Sequence, residues 1–174
     1  ATGDCDVCLT HSDYNLLTQS AARGVLEPAS AAGVGVFNGS SLGMGLLSGE
    51  NPQVVAEKMQ QRRRQYQEMH KESRNLTQKI QHWLRRQHYA RYRRQFEERI
   101  SLAQKLWDWA QSKDIDLLAL NIQYCMRDPR ITATLMGAAT PAQIEADVAA
   151  AQKEIPEWVW QELSGRGVTL SLPR

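Results

Sequence analysis

"GVGVFNGSSLGMGLLSG", residues 33–49, runs a short apolar stretch into a loop with glycines at 39, 43, 45 and 49 around Ser40 and Ser41. Residues 34–38, bounded by glycine, read as a buried strand. The loop that follows has more backbone freedom than a plain connection needs. Either the backbone approaches a ligand such as a phosphate, or it turns tightly with none. The loop has no G-K-[ST] ending, and it is not a G-x-G-x-x-G fingerprint with an acid at the ribose-binding distance. On these residues alone both readings stay open.

Working outward, "VCLTHSDYNLL" (7–17) reads as a strand and its exit loop, and "ITATLMG" (131–137) as a third strand ending in glycine. Between the first two strands, "TQSAARGVLEPASAAG" (18–33) predicts a short helix, a break at Gly24 and Pro28, then a second helical turn ending at Gly33. "DIDLLALNIQYCMRDP" (114–129) carries an Asp cap and stops at Pro129. "TPAQIEADVAAAQ" (140–152) opens with Thr as N-cap and Pro at the first helical position. "PEWVWQEL" (156–163) is a last short helix, followed by a loop tail. Strands separated by helices require parallel crossovers. Strands apolar along their length fit a sheet covered on both faces. Three parallel strands leave two open edges, so a piece of sheet is expected to be missing, and the fragment is expected to need another copy or a partner to complete it.

No glycine or proline occurs between Gln53 and Asp114, which predicts continuous helix. Met59, Tyr66, Met69, Leu76, Ile80 and Trp83 mark one apolar stripe, and Tyr92, Phe96, Ile100, Ala103, Trp107 and Ala110 a second. The phase slips near "RRQHYARYRR" (85–94), which predicts two long helices, as in an antiparallel hairpin, with the break there. The first half of this segment is strongly basic, with Arg62, Arg63, Arg64, Lys71, Arg74, Lys79, Arg85 and Arg86 among its cations. The chain thus divides into 1–50, a basic helical insertion at 51–113, and 114–174.

The 174 residues carry a net charge of +2, enough length for one core and short for two. Apolar and charged fractions are ordinary for a globular chain, no run approaches a membrane span, and no signal segment opens the chain. The opening "ATGDCDVCLT" reads as a chain entered part-way. Three cysteines, an odd and low number, suit a reducing, cytoplasmic setting. Cys5 and Cys8 form a lone C-x-x-C with His11 nearby, but zinc wants about four ligands, so buried thiols rather than a metal site are expected.

"CDVCLTHSDYNLL", "GVGVFNGSSLGMGLLSG" and "ITATLMGAATPAQIEADVAAA" together resemble the last three barrel strands of the aldo/keto reductases, most closely the branch of sugar dehydrogenases acting on L-galactose and related aldoses. The matching features are a strand ending in Tyr14, the block Gly33–Leu47, and a strand ending in Gly before a T-P-x-Q helix start, Gly137–Gln143. The resemblance implies an α/β fold, a partial (β/α)8 TIM-type barrel with a long helical insertion. It implies an oxidoreductase binding NAD(P), without resolving NAD from NADP, and acting on a sugar-like carbonyl or hydroxyl. Ser40, Leu42 and Gly45 are carried over to the cofactor pyrophosphate, and Gly137, Thr140 and Gln143 to its adenosine phosphate end. That agrees with the barrel rule of a phosphate site after strands seven and eight.

The family's catalytic residues lie on its first four strands, so the resemblance places none in this chain and implies an N-terminal half-barrel, in the same or another chain. Tyr14 and His11 fall on the sixth-strand segment, and nothing in the sequence pairs His11 with a partner. Ser41 stands where the family usually has proline. Gly39 falls near the position of an aromatic that stacks on the nicotinamide. Asp147, with no adjacent Arg or Lys, argues against gripping a 2′-phosphate. The insertion reads first as a solvated hairpin over the barrel rim, then as an oligomer or partner contact through Trp83, Tyr89, Tyr92 and Phe96. A non-catalytic interaction protein using that hairpin is the alternative function. The near-neutral chain and the lack of a known motif argue against nucleic acid. Trp107, Trp109, Trp158 and Trp160 read as core or rim packing.

Overall fold

The three apolar runs pair side by side, all parallel, in the order β1 (Val7–His11), β2 (Gly35–Gly39), β3 (Ala133–Thr134). The computed structural model of the chain describes residues 5–69 and 76–165, and all of their side chains except those of 67 and 76–93. The third strand is shorter than the run 131–137 suggested. Only two residues join the ladder, flanked by Thr132 N–H donating to Val36 O at 2.9 Å and Leu135 N–H to Asn38 O at 2.8 Å.

Between β1 and β2 the chain makes a π-turn, Ala22–Leu26, that continues into α1 (Glu27–Ala31). The expected break at Gly24 and Pro28 does not occur. Pro28 has no N–H to donate to Gly24, and its ring crowds that carbonyl. The ladder widens by one residue instead, with Glu27 N–H reaching Ala22 O. Gly33 ends the helix at φ +69°, and Val34 N–H closes onto Ala29 O at 2.9 Å.

After β2 come α2 (Pro52–Met69), α3 (Leu76–Ser112) and α4 (Leu117–Met126). The predicted break at 85–94 is absent, since α3 runs through it; residues 70–75, between the two helices, lie outside the described residues. Phe96, Ile100 and Ala103 do form a stripe, packing with Leu46, Val55 and Met59. The pairing of early α2 with late α3 makes the two antiparallel. Of the described side chains of the first stripe, only Met59 packs into that cluster. Tyr66 and Met69 are 59% and 73% exposed, and Leu76, Ile80, Trp83, Tyr89 and Tyr92 lie outside the described side chains.

The core sits between the sheet and α4. Asp116 caps α4, accepting from Ala119 N–H at 3.0 Å, as its position before an apolar run predicts. Leu117, Leu120, Tyr124 and Cys125 then join Val36, Leu26, Trp109, Val159 and Trp160 in one buried cluster. Trp109 and Trp160 are core, as expected; Trp158 stays exposed, with Lys113 Nζ 5.7 Å from its ring centre. Against α4 lie α5 (Pro141–Gln152), through Ala119, Ile122 and Ala150, and α6 (Glu157–Gly165), which buries Val159, Trp160 and Leu163 in the main cluster.

Among the described residues, only one face of the sheet is covered. Val36 and Asn38 are fully buried on the helix side, and Cys8 packs there too. The alternate residues of β1 point the other way, and of these Val7 and Leu9 are 45% and 57% exposed. The strands are apolar on both faces, but the second face is not covered by the described residues. Among the described residues no helix is long and apolar enough to cross a membrane.

Candidate functional site

Parallel strands send their exit loops out of one end of a sheet. Here the loops after β2 and β3 leave side by side and are tied together. Ser41 is buried, and its hydroxyl donates to Leu135 O at 3.3 Å and lies 3.0 Å from Met136 Sδ. Proline could make neither bond, so the departure from the family pattern at 41 has a structural reason. Asn121, buried in the middle of α4, accepts from Leu16 N–H at 3.2 Å and donates to Ser41 O at 3.1 Å. Asn38 donates to Tyr14 O at 3.0 Å. Two buried asparagines therefore hold the exits of β1 and β2 onto α4 and onto each other. Their signal in the sequence is a polar residue inside or ending an apolar run, which must find partners when buried.

The β2 exit turns on left-handed residues. Ser40 has φ +55° and Met44 +61°, with Gly43 at +56° and Gly45 at +91° between and after them. A non-glycine residue in this region is uncommon and is held by its surroundings. Ser40 Oγ lies 3.3 Å from His11 Nε2, so the histidine with no partner in the sequence acquires one from the neighbouring strand. A Cβ on Gly39 would sit tight against Thr10 O, at 3.3 Å, and in ordinary contact with Leu9 Cδ2 at 3.6 Å and His11 Nδ1 at 3.8 Å. Leu42 is half-buried against Ala119, Ile122 and Ala150, which leaves its backbone rather than its side chain for any ligand. Gly45 faces Val55.

The β3 exit is open, with residues 137–146 all exposed, and a Cβ on Gly137 would meet nothing within 4 Å. Thr140 caps α5 by accepting from Gln143 N–H at 3.3 Å, and Gln143 Oε1 accepts from Ala139 N–H at 2.7 Å. The T-P-x-Q pattern is thus a reciprocal cap on the N-terminus of α5. No Lys or Arg occurs in 37–50 or 133–147. Any anion held here meets backbone N–H groups, hydroxyls and a helix dipole. Asp147 lies on α5 in a cleft with Ile122, Met126, Thr134 and Ile144, and burial raises its carboxyl above the ordinary value.

Beneath the loops lies an ionic group that sequence reasoning missed. Tyr14 OH donates to Asp128 Oδ2 at 2.7 Å, and Arg130 donates to both carboxylate oxygens, Nε to Oδ1 at 2.9 Å and an Nη to Oδ2 at 2.6 Å. Tyr14 stacks on Tyr124 with ring centres 5.5 Å apart. Burial pushes the Asp128 carboxyl up, but the Arg130 and Tyr14 hydrogen bonds outweigh it and hold the group below the ordinary carboxylate value. Tyr14, at 1% exposure, is a core residue facing away from solvent. Cys5 Sγ donates to Val7 O, Cys8 packs against the main core, and burial raises the Cys125 thiol to about 12. Among the described residues no group of three His, Cys, Asp or Glu is placed to hold a metal ion.

A search among curated proteins finds no match to the chain. Protein-family comparison matches residues 1–165 to the aldo/keto reductase family. A three-stranded parallel sheet with its helices on one face and the other face not covered by the described residues is consistent with part of the barrel that this family implies. The chain belongs to the aldo/keto reductase family, a family of oxidoreductases.

Proposed function

We propose that this chain supplies the cofactor-phosphate side of an NAD(P)-dependent aldo/keto reductase acting on a sugar-like carbonyl or hydroxyl substrate, as in the sugar dehydrogenase branch it resembles. The observation that carries the reading is the pairing of the two exit loops through Ser41 at the carboxyl end of the sheet. Ligands in parallel α/β folds bind at that end. A nicotinamide dinucleotide, when bound, supplies the hydride chemistry. The residues present fit such a group: Ser40 offers a hydroxyl from a constrained backbone, Leu42 and Gly45 offer loop backbone, and Gly137 leaves open space before the capped N-terminus of α5. Thr140 and Gln143 act by shaping that N-terminus. With no cation in either loop, a 2′-phosphate has no counter-charge here, so NAD is favoured over NADP.

The proton-transfer groups belong to an N-terminal half-barrel, which also covers the open sheet face bearing Val7 and Leu9. The test is a fluorescence titration of NADH and NADPH against the chain alone and against the chain joined to the N-terminal strands. Binding is expected only in the joined form, tighter for NADH, and weakened several-fold by Ser40→Ala. A joined, folded form that binds neither nucleotide would sink the proposal.

A further inference from the structure

Charge is divided unevenly between the helical arm and the rest of the chain. Residues 57–99 hold thirteen Lys or Arg and five Asp or Glu, a net of +8, while the remainder holds eight and fourteen, a net of −6. The near-neutral total conceals this separation. The structure adds that the end of α2 leaves the body. Val55 and Met59 anchor the start of α2 against Phe96, Ile100 and Ala103, but every described side chain from Gln60 to Met69 is exposed. A helix with no buried face over more than two turns is not held by packing against a core.

Arg62, Arg63 and Arg64 fall in this stretch and are exposed. Successive residues turn by about 100°, so the three arginines spread around more than half the helix circumference. Such a distribution suits an extended partner of one sign more than a flat patch on a globular one. Along α3, Arg94 is also outside the body, its side chain 84% exposed and paired with Glu98 at 3.3 Å. With 37 residues, α3 is a rod of about 55 Å, long enough to follow many phosphates of a nucleic acid.

We propose that the α2–α3 arm binds the phosphate backbone of nucleic acid, without base specificity, through charge complementarity. Lys and Arg side chains displace condensed counterions from a phosphate backbone, so binding of this kind weakens steeply with salt. This surface is separate from the loops after β2 and β3 and does not depend on cofactor binding.

The test is fluorescence anisotropy of labelled duplex DNA and single-stranded RNA with the full chain. Affinity should fall by about tenfold or more between about 50 and 200 mM salt. The triple change Arg62→Gln, Arg63→Gln, Arg64→Gln keeps good helix formers, and circular dichroism checks that the helix persists. It should flatten the log–log salt slope by about 2 to 3, since each phosphate contributes about 0.9. Arg23→Gln, an exposed cation on the body, should leave the slope unchanged. Preference between the two probes reports which nucleic acid is taken. Absence of binding at low salt, binding indifferent to salt, or a triple variant that binds like the parent would overturn the proposal. So would a result in which neither probe binds while the arm drives dimerisation in sedimentation or adsorbs to phosphatidylserine vesicles.

Discussion

The sheet with its helices and the basic arm are both rich in helix, yet their residues are held in different ways. In the first, several polar groups are buried with partners: Asn121 and Ser41 bridge separate elements, and Asp128 lies at 0% side-chain exposure between Arg130 and Tyr14. In the second, Arg62, Arg63 and Arg64 face water. Stability is therefore concentrated in one region, while the other contributes charge and reach. A substitution should be costly in the first and nearly silent at the exposed α2 residues of the second, Gln60 to Met69.

The largest effect is expected at Asp128. Asp128→Ala leaves Arg130 and the Tyr14 hydroxyl without their buried acceptor and should cost about 3–5 kcal/mol, read by denaturant unfolding. The same carboxyl makes the body acid-sensitive. Asp128 and Asp116 both sit below the ordinary value of 3.8, Asp116 because its Ala119 and Lys153 hydrogen bonds outweigh the opposing effect of burial. The folded state then binds fewer protons than the unfolded one near that pH. The stability they contribute is complete above about 3.8 and is lost as pH falls through the lower folded values. Asp128→Ala should flatten that acid limb, and an unchanged acid limb would remove Asp128 from the account.

A smaller effect is expected at the joint between the two loops. Ser41→Ala removes one buried hydroxyl and should cost about 1 kcal/mol while loosening the β2 exit against Leu135. Smallest is the arm: Met69→Ala should change stability by no more than about 0.5 kcal/mol. A Met69→Ala variant as unstable as Ser41→Ala would erase the distinction between the two regions.

Much of the body was legible because its signals are local. The apolar runs, the Asp116 and Thr140 caps, and the turn at Gly33 all act within a few residues of themselves. The same local logic failed at Gly24 and Pro28, where one ladder shift absorbed the proline without breaking the helix. It failed again at 85–94, where the slip in the apolar stripe does not interrupt α3. The site was half legible. The glycine loop announced itself, but the pairing of His11 with Ser40 and of Ser41 with Leu135 depends on strand register, which brings together residues 29 and 94 apart. The Tyr14–Asp128 contact spans 114 positions, and no periodicity signals it.

The central claim is that two exit loops form one cofactor-phosphate surface. Amide chemical shifts, recorded on the isotope-labelled chain joined to the N-terminal barrel strands while NADH is added, test it most directly. Shifts should concentrate at Ser40–Gly45 and at Gly137–Gln143 together, saturating at one common concentration. Shifts confined to one loop, or absent from both while nucleotide binds elsewhere, would contradict the account.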